Sequence, residues 1–163
     1  MELRKRFDLR KIMMCAYFVS FAIYLLVGLM PAAATKHDVD TTLEIPSIGL
    51  TSDVTKMKLN GRDLETPDDI VGSFSNHSNK TLLVGHSTMV FNNLSKASLY
   101  DVVNYNDKVY VIKNIQVVQK EDISMNKVLS EARTDTLVIM TCAGKLIGDG
   151  DASHRLIITA EAI

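Results

Sequence analysis

Tryptophan is absent from this 163-residue chain, proline occurs three times and cysteine twice. Without tryptophan, any aromatic wall of a binding groove falls to phenylalanine or tyrosine. The formal net charge is −1 and no basic tract lies beyond the first eleven residues, which argues against a nucleic-acid partner. Only one apolar run is long enough to span a bilayer, so the chain crosses a membrane at most once. There is no internal repeat and no low-complexity segment. What remains beyond the N-terminal run suits one domain with one core.

Residues 1–11 carry Arg4, Lys5, Arg6, Arg10 and Lys11 against Glu2 and Asp8, and 12–30 then run almost wholly apolar. At about 1.5 Å per residue this stretch just spans a hydrocarbon core of about 30 Å. Basic residues ahead of it hold that end in the cytoplasm and send the remainder outside. Pro31 and the alanines at 32–34 fit a signal-peptidase site, so 12–34 is either a retained anchor or a cleaved signal. The apolar stretch exceeds the roughly 7–15 residues of a cleaved signal, which favours the anchor. Residues 35–42 read as a linker and 43–163 as the exported domain.

Cys15 falls inside the apolar span and reads as lipid-facing filler, leaving Cys142 as the sole thiol of the exported part. Exported proteins normally pair their cysteines, and a leftover one points to intermolecular pairing or a reactive thiol. The bland alternative is an inert cysteine serving as a small apolar residue. Its setting is the run 136–142, Thr-Leu-Val-Ile-Met-Thr-Cys, followed by alanine and glycine. A short apolar run bounded by turn formers reads as a strand buried on both faces. Alternation puts Val138, Met140 and Cys142 on one side, with the thiol at the strand's mouth.

Residues 43–50 alternate around Pro46 and predict an edge strand that breaks at Gly49. Further strands are predicted over 51–59, near 73–74, over 81–86 and over 155–160. Residues 108–112 and 115–120 are either a hairpin turning at Lys113-Asn114 or one long bent strand. Asn60-Gly61 and Asn106-Asp107 are turn signals. Residues 67–72 read as a helical turn or loop, 76–80 as a polar loop, and 87–105 as a loop with room for one helical turn. Ser124 as a cap opens a short helix over 124–133, and 143–153 is a loop rich in Gly and Asp. Many short strands with few helices predict an all-β barrel or sandwich.

Three reactive side chains share a pattern. Leu82, Val84 and His86 alternate onto one face, so His86 ends its strand as Cys142 ends its own. Ser153, Arg155, Ile157 and Thr159 share a face of the last strand. An antiparallel pairing of that strand with the Cys142 strand sets Arg155 beside the thiol, with His154 on the opposite face. The combination makes chemical sense. A thiolate is the attacking species and a nearby cation favours it. Histidine can protonate a leaving amine. A guanidinium keeps its charge and can hold a developing oxyanion.

These segments resemble a sortase, a membrane-anchored cysteine transpeptidase of bacterial surfaces. The matching residues are Ile45-Pro46-Ser47-Ile48-Gly49-Leu50, Val84-Gly85-His86-Ser87-Thr88, 136–142 and 155–160. They cover essentially all of 43–163. The thiol strand departs from the family's T-L-x-T-C spacing by two extra residues. The resemblance implies an all-β fold with short helices, a closed seven- or eight-stranded β-barrel behind an N-terminal transmembrane helix. It also implies that Cys142 attacks the carbonyl after threonine in an LPxTG-like sorting signal. His86 then protonates the departing amine, and Arg155 stabilises the oxyanion. Ser87, Thr141 and Ala143 become substrate-contacting positions, and the segments 143–154 and 124–133 wall the groove. The implied partners are surface proteins bearing the signal and an amine nucleophile from a cell-wall precursor or another protein. The implied location is the bacterial membrane, single-pass, with the catalytic domain extracellular.

No Asp-Pro-aromatic lid of the pilus-building subgroup is present. Some relatives bind calcium, for which Glu65, Asp68, Asp69, Glu121 and Asp122 are the available acids. Solvated surface charge is the preferred reading of these five, so no cofactor and no metal are expected. A silent barrel that only binds surface peptides is the competing expectation, because fold does not fix function.

Overall fold

The computed structural model describes residues 41–163, apart from 61, 62, 65, 78 and 148–150. The basic segment 1–11, the apolar span 12–34 and the linker up to residue 40 lie outside the described residues. The strands are β1 (Thr41–Ile45), β2 (Leu50–Lys56), β3 (Leu59–Asn60), β4 (Asp63–Leu64), β5 (Val71–His77), β6 (Lys80–Val84), β7 (Val102–Tyr105), β8 (Lys108–Gln119), β9 (Thr136–Ile147) and β10 (Asp151–Ala162). Eight of them close into a barrel in the order β1-β2-β5-β6-β9-β10-β8-β7, and β3 and β4 form a separate two-stranded ribbon. The fold is thus the eight-stranded member of the two barrels expected. It begins at Thr41, two residues inside the stretch assigned to the linker.

Closure follows from β1, which pairs with β2 on one side and β7 on the other. The strand predicted to be an edge therefore has none, and closure removes the unpaired backbone an edge would present. Pro46 ends β1 by opening a 3₁₀ turn, Pro46–Ile48. Gly49 closes that turn at φ +64°, its N–H donating to Pro46 O at 3.1 Å, a left-handed conformation that suits glycine.

Alternation fills the interior. Leu43, Ile45, Val54, Val71, Leu83, Val103, Ile112, Leu137, Ile139 and Ile158 are fully buried in one cluster inside the barrel. The long strand β8 keeps this up only by a bulge. Thr159 pairs with Asn114 but Ala160 pairs with Ile112, so Lys113 is the extra residue. The extra residue lets both Ile112 and Ile115 pack toward the same core across an odd spacing. The Lys113-Asn114 ambiguity thus resolves as one strand with a bulge.

Two strand pairs are parallel, β2 with β5 and β6 with β9. The second parallel pair positions the site. It makes β6 and β9 run to the same rim, where antiparallel β10 begins. The outer face of these strands is also covered. Leu82, Val138 and Ile157 form a second buried cluster, packed against Ile123, Val128 and Leu129 of the segment between β8 and β9. β9 is buried on both faces for this reason. The helix expected over 124–133 is a single turn, α1 (Met125–Val128), and Ser124 precedes it without a side-chain capping bond. Four residues cannot hold a helix by propensity, so apolar contact with the barrel wall holds it.

Candidate active site

Cys142 of β9 pairs directly with Arg155 of β10. Directly opposed residues of an antiparallel pair project to the same face, with Cα atoms about 4.5–5.5 Å apart. On the other side of β9, Val84 pairs with Met140. The buried Thr141 hydroxyl carries that offset of 56 residues past the end of β6 by donating to Gly85 O at 2.7 Å. His86 follows Gly85 on the chain leaving β6, two residues past the end of the β6–β9 ladder and on the rim side of it. Thiol and guanidinium thus stand side by side on two neighbouring strands, on the outer face shared with Val138 and Ile157, and His86 lies on the chain that leaves the third.

The chain leaving β6 is fixed by its own backbone. His86 O accepts N–H bonds from Met89 at 3.2 Å and Phe91 at 3.1 Å. Phe91 is buried, and a Cβ on Gly85 would lie 2.5 Å from Val90 and 2.9 Å from Phe91. Only glycine lets the 87–93 turn close this tightly over the barrel end. The His86 ring remains half-exposed, and its Nε2 lies 3.8 Å from the exposed Asp68 Oδ1.

Past Cys142, β9 and β10 continue as a hairpin, so most of the expected 143–153 loop is strand. Gly144 lies at φ +82°, where a Cβ would meet Ser153 Oγ and His154 Nδ1 at 2.7 Å. The register shifts between Ala152 and His154: Gly144 and Lys145 of β9 stand opposite the single Ser153 of β10, so the extra residue lies on β9. Ser153 Oγ accepts the Lys145 N–H at 3.1 Å and lies 2.8 Å from His154 Nδ1. This irregularity sets the register that delivers Arg155 to Cys142.

Arg155 is largely buried and heavily bonded. Its Nη1 donates to Ala152 O and His154 O, both at 2.9 Å, and its Nη2 donates to Asp151 Oδ1 at 2.8 Å. Asp151 Oδ1 also accepts the Ala152 N–H at 2.7 Å, and its Oδ2 accepts from Lys120 Nζ. Lys120, the Ala152 amide and Arg155 together hold the Asp151 carboxyl well below the usual carboxylate range.

A cavity of about 480 Å³ opens on the same outer face, farther down β9 from the thiol. Val138, Ile157, Val118, Ile123 and Val128 give it apolar walls, and Lys80, Lys127 and Asp122 are among its polar lining. The expected wall 124–133 contributes here. Of the other positions, Ser87 follows His86 in the turn and is half-buried, and Ala143 packs against the interior core. Thr141 points into the barrel and bonds Gly85, so its side chain ties two strands together. His154 stands one residue out of phase with Arg155, bonded to Ser153. Of the calcium candidates, Glu65 lies outside the described residues. Asp68, Asp69, Glu121 and Asp122 are exposed, with Asp69 and Asp122 lining different cavities. The places of Asp151, Lys120 and Asp68 at this rim are not legible in the sequence, because a partner contributed across a barrel end leaves no local pattern.

A family model described as Sortase domain matches residues 43–163. Among solved structures, the chain is similar to sortase A from Corynebacterium diphtheriae, at 21% identity and a TM-score of 0.59. That match covers 78% of this chain and 62% of that one, so the chain spans under two thirds of that relative's length. Sortase C-1 from Actinomyces oris is 26% identical with a TM-score of 0.57, covering 77% of this chain and 72% of that one. Sortase A from Listeria monocytogenes is 14% identical with a TM-score of 0.60, covering 77% and 87% respectively. No curated protein matches by sequence.

Proposed function

The chain belongs to the sortase family, whose members are cysteine transpeptidases, and from that premise we propose that Cys142, His86 and Arg155 carry out the transfer. Cys142 thiolate attacks the carbonyl carbon after threonine in an LPxTG-like signal, forming a C–S bond and a tetrahedral oxyanion. Arg155 N–H groups stabilise that oxyanion. As it collapses, the C–N bond breaks and protonated His86 gives its proton to the leaving glycine amine. The thioester is then attacked by an incoming amine, which yields its proton to His86 as the C–S bond breaks. An amide has been exchanged for an amide, and thiolate and imidazolium are restored. The scheme draws only on the chain's own side chains and needs no cofactor.

The register pairing of Arg155 with Cys142 is the observation that supports this reading, with His86 one residue beyond the Gly85 carbonyl to which Thr141 bonds. The cavity supports it. Leucine precedes the scissile threonine by three residues, about 10 Å of extended chain. Val138 lies four residues from Cys142 along β9, about 13 Å. The apolar walls at Val138, Ile157 and Ile123 therefore suit the start of the signal. The proposed setting is a bacterial surface, with 12–34 as the anchor. The proposed partners are signal-bearing surface proteins and an amine from a cell-wall precursor or another protein.

The test is incubation of the purified chain with an LPxTG-type peptide and triglycine. Expected are a protein species heavier by the acyl fragment, released by hydroxylamine, and a triglycine-joined product. Wild-type protein that binds the peptide but forms neither species would establish a silent barrel instead.

A further inference from the structure

We propose that Asp151 is a positioning residue for Arg155: its carboxylate, tethered from the other side by Lys120, fixes which edge of the guanidinium faces the reacting carbonyl. The inference rests on the function proposed above and adds to it a group that touches neither substrate nor thiol.

Four observations support it. Arg155 is only 16% exposed, so its side chain lies against the barrel wall and has few places to go. Its Nη1 is committed to two carbonyls and one side of Nη2 to Asp151 Oδ1. Among the described residues this leaves Nε–H and the second Nη2 proton as the donors free to meet an oxyanion. The Asp151 carboxylate is itself bonded on both oxygens, with Oδ1 on Arg155 and the Ala152 amide and Oδ2 on Lys120. Finally, Lys120 opens the 3₁₀ turn Lys120–Asp122 that leads into the cavity wall, while Asp151 opens β10. The tether therefore joins the segment over the groove to the strand that carries the arginine.

Stability does not explain the arrangement. Lys120 is about half-exposed, and ion pairs of that kind contribute little to folding. Orientation does explain it. A free arginine side chain gives up rotamer freedom each time it meets an oxyanion, whereas a pre-bonded one meets it already aligned. Removing the carboxylate leaves the charge in place but lets the guanidinium swing. An error of about 1 Å in such a donor is enough to cost about 100-fold in rate.

The experiment measures kcat and KM of the full chain for transfer of an LPxTG-type peptide to triglycine. Wild type is compared with Asp151→Asn, Asp151→Glu and Lys120→Met. Alkylation of Cys142 by iodoacetamide and thermal melting are followed in parallel. Asp151→Asn is expected to lower kcat by about 10- to 100-fold while KM stays within about threefold of wild type. Alkylation and melting stay near wild type. Asp151→Glu, which keeps the carboxylate, recovers most of the lost kcat, and Lys120→Met shows a smaller loss.

A folded Asp151→Asn with wild-type kcat overturns the proposal. So does a kcat loss matched by a lower melting temperature and not rescued by glutamate, which marks a merely structural role. If Asp151→Asn does not fold, Lys120→Met decides, and wild-type kcat in that variant overturns the proposal. A wild-type chain that forms no acyl-enzyme overturns the function itself, and this inference with it.

Discussion

At the far end of the barrel Asp135 accepts from Tyr110 Oη at 3.2 Å and from Lys108 Nζ at 2.5 Å. At the reactive rim Asp151 accepts from Arg155 and from Lys120 in the same manner. Each carboxylate thus holds one donor from the barrel wall and one lysine, but the consequences differ. Burial, then the adjacent Asp135 charge, pushes the Tyr110 hydroxyl well above its ordinary pKa, so it stays a neutral donor locked in the wall. The far end is further sealed by main-chain bonds, Ala162 N–H to Asp135 O at 2.9 Å and Thr136 N–H to Asn79 O at 3.0 Å. Its hairpin between β7 and β8 is the tightest available, with Asn106 and Asp107 both at positive φ. At the rim of the candidate site the guanidinium keeps N–H groups unpaired among the described residues, and the thiol and imidazole stay partly open. One end spends its polar groups on closure, and the other leaves them available.

Four substitutions or conditions test that contrast, beginning with the largest effect. Cys142→Ala removes all acyl-enzyme and all transferred product by intact-mass analysis, while the melting temperature stays near wild type because the thiol is only half-buried. A large fall in melting temperature would show the reactive rim to be structural as well. Asp135→Ala does the reverse: it leaves the Tyr110 hydroxyl and Lys108 without their partner. Urea unfolding should show a loss of about 1–3 kcal/mol, with turnover kept. Loss of turnover in a folded Asp135→Ala would break the division between the ends.

A smaller effect is expected from Asp107→Gly. Relief of a left-handed side chain is worth about 1–2 kcal/mol, against about 0.5–1 kcal/mol for glycine's extra freedom when unfolded. A net gain of about 0.5–1 kcal/mol should appear in urea, with no change in kcat. Smallest is the pH effect at Asp151. Its carboxyl is held below the ordinary 3.8, so its contribution is complete above that value and is lost as pH falls beneath it. The difference in urea midpoint between wild type and Asp151→Asn should be small, in keeping with melting near wild type, constant from pH 8 to 5, and should shrink below about pH 4.

Alternation along 136–142 and 155–160 makes the pairing of Cys142 with Arg155 legible in the sequence, because strand period and chain order suffice to place side chains on a face. What is not legible depends on partners far away in the chain. Strand β7 (Val102–Tyr105) reads as loop, although the turn after it is plain. Four residues with one inward valine carry no pattern, and β7 exists because β1 and β8 flank it. The bulge at Lys113 shows only as an apolar spacing of three, which also fits a turn. The Gly- and Asp-rich composition around 148–151 hides the extension of β9 and β10. Helix formers over 124–133 predict more helix than forms, because the barrel wall holds that segment by Val128 and Leu129 rather than by its own turns. Asp151 and Lys120 have meaning only together, and they are joined by tertiary structure alone.

The parallel pairing of β6 with β9 is also a contact between distant parts of the chain. Two neighbours separated by 56 positions cannot meet until everything between them has been laid down and threaded back. On the proposed mechanism the thiol would lack His86 until that contact forms, although Arg155 reaches it through the more local β9–β10 pairing. A chain without the β6–β9 contact would therefore be unable to complete the proposed transfer.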